Sequence, residues 1–99
     1  MSDTKVLEVV TFNVKPGVSP GEAKTAARGV TAFLETQPGY LGRDLGQSED
    51  GRWVDLVHWT DLEAARTAIP RAMKNADCQA FFALIDEETL KMDHFTVDG

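Results

Sequence analysis

Short segments that are rich in β-branched residues, or that alternate apolar and polar residues, predict four β-strands. The predicted strands are Val6–Val14, Tyr40–Glu49, Arg52–Thr60 and Thr89–Val97. Between the first and second strands, apolar residues recur at the i, i+3, i+4, i+7 spacing of an amphipathic helix, and the same spacing returns after the third strand. A shorter helix around Phe81 precedes the last strand. The predicted order of elements is therefore βαββα(α)β.

Capping signals indicate where the helices begin. The stretches Ser19–Glu22 and Thr60–Glu63 have the S/T-x-x-E spacing of a capping box, so we expect one helix to start at each. Pro70 lies inside the second helix and predicts a kink or a restart just before it. Asp77 is the expected cap of the short third helix.

The dipeptide Asp50-Gly51 predicts a tight turn between the second and third strands. It suits a two-residue type I′ hairpin, in which both central residues need positive φ. Glu49 would then face Arg52, and further along the hairpin Arg43 would face His58. This pairing fixes which side chains share a face of the sheet.

Strand alternation divides the hairpin into two faces. One face carries Tyr40, Gly42, Asp44, Gly46, Trp53, Asp55, Val57 and Trp59. The opposite face carries Leu41, Arg43, Leu45, Val54, Leu56 and His58. Asp55 and His58 therefore point in opposite directions and are not expected to act on one another.

The element order is most economically packed as an α+β, ferredoxin-like sandwich, and the whole chain, residues 1–99, is expected to form this one domain. Its antiparallel sheet has the strand order 4-1-3-2, with the helices on one face. The other face would be bare and apolar, which is typical of an interface. We expect a homodimer that packs sheet on sheet through the face carrying Arg43, Leu45, Leu56 and His58.

Composition and charge narrow the classes of partner. The chain is 42% hydrophobic and 26% charged, as in an ordinary globular domain, and no apolar run approaches the roughly 18 residues of a membrane span. A net charge of −6 with scattered Lys and Arg argues against nucleic acid. Cys78 is the only cysteine, and the N-terminal MSDTK lacks the apolar stretch of a secretory signal. We therefore expect a cytoplasmic protein that binds neither membrane nor nucleic acid.

The segment QPGYLGRDLGQSEDGRWVDLVHWTDLEAA, from Gln37 to Ala65, resembles the antibiotic-biosynthesis monooxygenase-like proteins of the dimeric α+β barrel superfamily. The resemblance extends over nearly the whole chain in the order of elements. It implies a homodimer with a ligand cavity in each protomer, between sheet and helices. The same architecture hosts quinone-forming monooxygenases, haem-degrading enzymes and isomerases, so the fold alone does not select an activity.

Trp59 matches a pocket tryptophan in the haem-degrading branch of that superfamily. Its alternative role is that of a core residue packed over Gly42, since aromatic side chains often cover strand glycines. The resemblance places Val10 where the haem-degrading enzymes have a first-strand asparagine, and the second helix has no histidine to serve as an axial ligand. Haem degradation is therefore not expected.

Asp55 is the sharpest candidate for chemistry, because it shares a face with two tryptophans. If the first strand runs parallel to the third, Glu8 lies on that face too, followed by Val10 and Phe12. Two carboxylates among apolar groups raise one another's pKa and can then hold or move a proton. The alternative is that Asp55 is solvated at the open end of the sheet, or is paired with a nearby Arg or Lys.

Two functions are compatible with these features. The first is a cofactor-independent monooxygenase for a compact aromatic substrate, with Glu8 or Asp55 as the base; Trp53, Trp59 and Tyr40 would shape the cavity. The second is a ligand-binding or stress-associated dimer without turnover. A cavity lined by these residues would favour the enzyme, whereas a filled core with both carboxylates in solvent would favour the binding module. No cofactor or metal site is expected, since two histidines without paired acidic or cysteine ligands make a poor zinc site.

Overall fold

The computed structural model describes residues 4–98, which form a four-stranded sheet with three helices on one face. In chain order the elements are β1 (Thr4–Val14), α1 (Pro20–Leu34), β2 (Tyr40–Gln47), β3 (Trp53–Trp59), α2 (Leu62–Met73), α3 (Ala76–Phe82) and β4 (Ile85–Asp98). The strand order is β2-β3-β1-β4, which confirms the predicted ferredoxin-like topology. Residues 1–3 and 99, which the predicted domain includes, lie outside the described residues.

The first strand runs antiparallel to the third, so the expectation of a parallel pair is wrong. The crossover through α1 makes β1 parallel to β2, and the hairpin then reverses β3 between them. Glu8 is paired with Val57. Directly opposed residues share a face in an antiparallel ladder, so Glu8 is on the same face as Val57. Glu8 therefore still lies on the face that the helices cover.

The start of α1 follows the sequence signal, whereas α2 starts one residue late. The Ser19 hydroxyl accepts a hydrogen bond from the backbone N–H of Glu22 at 3.1 Å, as predicted. At α2 the cap is Asp61, whose carboxylate accepts from Ala64 at 2.8 Å. Thr60 is not the cap. Its backbone N–H donates to the carbonyl of Gly39, which immediately precedes β2.

Two further predictions concern Pro70 and the start of α3. Helix α2 continues through Pro70 to Met73 without a restart. Helix α3 is capped by Asn75, whose side-chain oxygen accepts from the N–H of Cys78 at 3.0 Å, rather than by Asp77. Asp77 lies in the first turn, where its negative charge favours the helix N-terminus.

The hairpin between β2 and β3 has a longer loop than predicted. Ser48 pairs with Arg52 through a 2.8 Å backbone hydrogen bond, which leaves Glu49, Asp50 and Gly51 as a three-residue loop. Within this loop only Gly51 has positive φ, at 91°. A three-residue loop made of a type I turn and a G1 bulge requires positive φ at its last residue. The pairing is thus shifted by one residue from the two-residue turn.

This shift moves two predicted interface residues to the other face of the sheet. Arg43 is opposite Val57 and Leu45 is opposite Asp55, so both residues lie on the face that the helices cover. Their assignment to the bare face is wrong, because a slip of one residue turns every side chain of a strand over. Gly42, Asp44 and Gly46 take the bare face instead.

A bulge at the start of β2 turns the first residue of the strand back. Between Tyr40 and Gly42 the register shifts again, so Tyr40 lies opposite Trp59, and their rings meet edge to face at 6.0 Å. Tyr40 is therefore on the helix side, as predicted. The predicted packing of Trp59 over Gly42 is wrong, since Gly42 is opposite His58.

The bare face carries apolar side chains that no described element covers. Phe95 is 50% exposed and Val97 is 37% exposed there, and the half-buried Leu56 lies on the same face two strands away. His58 is on this face, 3.2 Å from the Asp44 carboxylate. Of the four predicted interface residues, Leu56 and His58 thus occupy the expected face.

Candidate functional site

A cavity of about 430 Å³ lies between the sheet and the helices. Its wall includes five predicted site residues, Glu8, Val10, Phe12, Asp55 and Trp59. Trp53 and Tyr40 do not line it: Trp53 is buried and stacks on Phe12 with ring centroids 6.3 Å apart, and Tyr40 packs behind Trp59.

Small side chains on α2 leave the space open. Ala65, Ala68 and Ala72 line the cavity at helical spacing, and the first two are almost completely buried. A methyl group cannot reach across the gap between a helix and a sheet, so this face of α2 leaves a volume that larger residues would fill. The cavity thus follows directly from the alanine stripe of this helix.

Asp55 is held by a buried guanidinium. Arg43 donates from Nε to Oδ1 at 2.8 Å and from Nη2 to Oδ2 at 2.5 Å, and the two side chains are only 3% and 10% exposed. The remaining nitrogen of Arg43 donates to the carbonyl of Ala27 at 2.7 Å and to Thr31 Oγ1 at 3.0 Å, both on α1. The guanidinium also lies 5.7 Å from the centroid of the Phe81 ring.

This arrangement fixes the chemical role open to Asp55. A bidentate, charge-assisted pair engages both carboxylate oxygens of Asp55 with one guanidinium and fixes the orientation of the carboxylate. Asp55 is therefore a rigidly held carboxylate in the cavity wall, with its orientation set by Arg43. The structure therefore agrees with the alternative that Asp55 is paired with a nearby Arg or Lys. The sequence did not identify Arg43 as that partner, because the hairpin register was taken one residue out.

Glu8 has a different environment. It is opposite His94 in the β1–β4 ladder, and its Oε1 is 3.0 Å from His94 Nε2, with side-chain exposures of 11% for Glu8 and 20% for His94. Burial raises the pKa of Glu8 above its usual 4.5, and the negative charge of Asp55 acts in the same direction. The hydrogen bond and charge of His94 oppose this rise without cancelling it. Glu8 is thus a carboxyl group able to hold a proton in a largely apolar cavity.

Sequence reasoning left His94 without a role, because no tight turn fixes the register of the last strand. The only available signal was alternation: Met92, His94 and Thr96 fall on one face, and Met92 lines the cavity. Deciding that His94 meets Glu8 also requires the long-range pairing of β4 with β1.

Trp59 contributes an unused hydrogen-bond donor. Its side chain is 1% exposed, and its Nε1 finds no acceptor of ordinary geometry among the described residues. The indole N–H is close enough to Glu8 to favour the charged form of that carboxyl, yet it makes no regular hydrogen bond to it. The Nε1 atom is itself shielded from the cavity, so the indole N–H acts on the Glu8 carboxyl and is not an exposed donor for a ligand.

An excursion of β4 forms part of the cavity mouth. Between the pairs Asn13–Asp86 and Thr11–Lys91 the strand bulges outward, and the N–H of Asn13 donates to Thr89 Oγ1 at 2.8 Å. Residues of this excursion and of its surroundings line the cavity while remaining exposed, which marks the opening to solvent; they are Met73, Glu87, Leu90 and Met92.

Within residues 4–98, no cluster of three or more His, Cys, Asp or Glu side chains could hold a metal ion. None of the helices in that range is long and apolar enough to cross a membrane. The buried carboxylates of the cavity wall are Asp55, paired with Arg43, and Glu8, paired with His94.

Solved structures with the same fold include bacterial oxygenases. SnoaB, a cofactor-independent oxygenase from Streptomyces nogalater, is 28% identical, with a TM-score of 0.78 over 97% of this chain and 94% of that one. The monooxygenase from the gene ActVA-Orf6 of Streptomyces coelicolor, in complex with nanaomycin D, is 24% identical, with a TM-score of 0.71 over 98% and 90%. The hydroxynitrile lyase of Passiflora edulis is 11% identical, with a TM-score of 0.74 over 95% and 94%. The last two likenesses show the fold alone.

No functionally curated protein sequence matches this chain. The family model of the antibiotic biosynthesis monooxygenases matches residues 6–84, which include β1 from Val6, all three helices and the central hairpin. The matched residues include Glu8, Arg43 and Asp55, whereas His94 lies outside the match. The chain therefore belongs to the antibiotic biosynthesis monooxygenase family.

Proposed function

We propose that the protein is a cofactor-independent monooxygenase that oxidises a compact aromatic substrate in the cavity, with Glu8 as the base. The observation that carries the proposal is a buried carboxyl of raised pKa in the wall of an apolar cavity of about 430 Å³. This volume lies within the roughly 300–1,000 Å³ of typical small-molecule sites. Family membership and the likeness to the oxygenase SnoaB support the same activity.

The chemistry asks little of the protein beyond moving a proton and excluding water. For a substrate such as an anthrone, Glu8 accepts a proton from the ring methylene, and the resulting carbanion passes its electrons to dioxygen. A carbon–oxygen bond forms, and the hydroperoxide loses water as the second methylene proton leaves. The balance is CH₂ + O₂ → C=O + H₂O, so the substrate itself supplies all the electrons. A base with a pKa raised toward neutral is suited to the first step.

The two carboxylates have separate duties in this proposal. Asp55, locked by Arg43, is the fixed acceptor for a substrate hydroxyl, while Glu8 moves the proton. The Trp59 ring is part of the apolar wall, and its buried indole N–H lies close enough to Glu8 to favour the charged form of that carboxyl. Val10 and Phe12 provide apolar contact for the rings.

The non-catalytic alternative predicted a filled core with both carboxylates in solvent. Glu8 and Asp55 are 9% and 7% exposed, and both line an open cavity. These values favour the enzyme over the binding module.

The same proposal includes a homodimer that packs through the bare face, where Phe95, Val97 and Leu56 would lose their contact with water. A twofold axis would place the same surface of each protomer against the other. The lone cysteine, which is buried and free, supports a place in the reducing cytoplasm.

Oxygen uptake across a panel of phenols, anthrones and hydroquinones tests the activity. We expect uptake by wild type on at least one of them, and a loss of about 100-fold or more in Glu8→Gln, which is the usual range for a general base. Asp55→Asn should mainly weaken substrate binding. Glu88→Gln, on the exposed excursion of β4 and outside the cavity wall, is the matched control and should keep the wild-type rate. No uptake on any substrate, or an unchanged rate in Glu8→Gln, would contradict the proposal.

A further inference from the structure

We propose that His94 is a positioning residue for Glu8: its imidazole holds one carboxyl oxygen and keeps the charged form of Glu8 available to accept a proton. This inference rests on the proposed function for its catalytic meaning. It goes beyond it by assigning a second residue, on a different strand, to the proton-accepting unit.

The geometry places His94 beside Glu8 and outside the cavity wall. Glu8 and His94 are directly opposed in the β1–β4 ladder, where neighbouring side chains on one face are held close by the backbone. Glu8 lines the cavity, whereas His94 does not. The 3.0 Å contact uses Glu8 Oε1. The other oxygen makes no regular hydrogen bond with any described residue, which leaves it for a substrate.

The charges around Glu8 make this contact consequential. The charged groups in the described part of the cavity wall are all acidic: Glu8 itself, Asp55 on β3 and Glu87 at the mouth. Arg43 is occupied by Asp55 and α1, and the α1 and α2 residues of the wall are apolar. His94 on β4 is thus the main group that offsets burial and the charge of Asp55, with a smaller effect from the Trp59 indole, and in the absence of His94 Glu8 would hold its proton to higher pH.

A purely structural histidine would behave differently. If His94 only filled space at the edge of the sheet, its replacement would change stability without changing the protonation of Glu8. The discriminating quantity is therefore the titration midpoint of the Glu8 carboxyl, measured in the folded protein without substrate.

The experiment is a ¹³C NMR pH titration of the glutamate side-chain carboxyls, with the Glu8 signal assigned by its disappearance in Glu8→Gln. We expect the Glu8 midpoint to rise by about one pH unit or more in His94→Phe, since removing a nearby partner charge has effects of that order. His94→Gln, which keeps a hydrogen-bond donor, should shift it less. His58→Phe is the matched control, because His58 pairs with an exposed aspartate on the bare face; it should leave the midpoint unchanged.

An unmoved Glu8 midpoint in both folded His94 variants would overturn the inference, as would an equal shift in His58→Phe. The result is separable from the proposed function, because no substrate is present. A shifted midpoint without oxygen uptake would leave the His94–Glu8 unit standing and remove the monooxygenase. Normal oxygen uptake by wild type, together with an unmoved Glu8 midpoint in the His94 variants, would support the monooxygenase and remove the His94–Glu8 unit. Where uptake occurs, its pH profile should move upward in His94→Phe together with the midpoint.

Discussion

At the scale of single residues, two buried carboxylates on one face of the sheet have been given opposite properties by their neighbours. Asp55 is paired at both oxygens with Arg43, while Glu8 is desolvated and has one imidazole partner. Environments that separate two acidic groups in this way are how enzymes assign a fixed charge and a mobile proton. The identity of the partner, rather than that of the carboxylate, decides the role.

The Arg43–Asp55 pair leads to a stability prediction. Arg43→Met should lower the free energy of unfolding by about 3–5 kcal/mol, because it leaves the Asp55 charge buried without a partner. The double variant Arg43→Met/Asp55→Leu should recover much of the loss, since both charges are then gone. Urea denaturation measures both.

Arg52→Met is the control for this prediction. Arg52 is exposed and donates to Thr11 at 3.0 Å, so its loss should cost about 1 kcal/mol or less. A cost for Arg43→Met no larger than that for Arg52→Met would show that the buried pair is not holding the fold together.

At the scale of elements, the order of strands and helices could be predicted because it rests on local periodicity and caps. The hairpin register could not, because Asp50-Gly51 fits both a two-residue turn and the end of a three-residue loop. That single residue reversed the faces assigned to Arg43 and Leu45. The bulge beside Tyr40 has no clear sequence signal either. Because of this bulge, Tyr40 lies on the helix-covered face, which is the face predicted for it from the two-residue turn.

For the candidate site, the residues on one face of a strand could be predicted, but their partners on other strands could not. Alternation groups Glu8 with Val10 and Phe12 on the first strand, and the structure brings them to one cavity with Asp55 although the two strands are antiparallel and not parallel as expected. The partners Arg43 and His94 depend on registers between strands, one set by loop length and one by a pairing far apart in sequence. Alternation fixes which face a side chain takes, but only the register tells which residue it meets.

At the scale of the whole molecule, the bare face of the sheet predicts self-association. Sedimentation velocity at micromolar concentration should show a dimer. Phe95→Glu should shift it toward monomer, because a charge would be buried against the partner's apolar surface. Met73→Glu changes a residue of similar exposure on the helix side and should remain dimeric. A strictly monomeric wild type would contradict sheet-on-sheet packing.

The central claim is that Glu8 takes a proton from a substrate held in the cavity, and hydrogen exchange tests that step without the reaction with oxygen. Under anaerobic conditions in D₂O, proton NMR follows the loss of the methylene signal of anthrone. Wild type should accelerate this exchange, and Glu8→Gln should slow it by about 100-fold or more, as loss of a general base does. Exchange that wild type does not accelerate over buffer, or that Glu8→Gln accelerates equally, would contradict the assignment of Glu8 as the base.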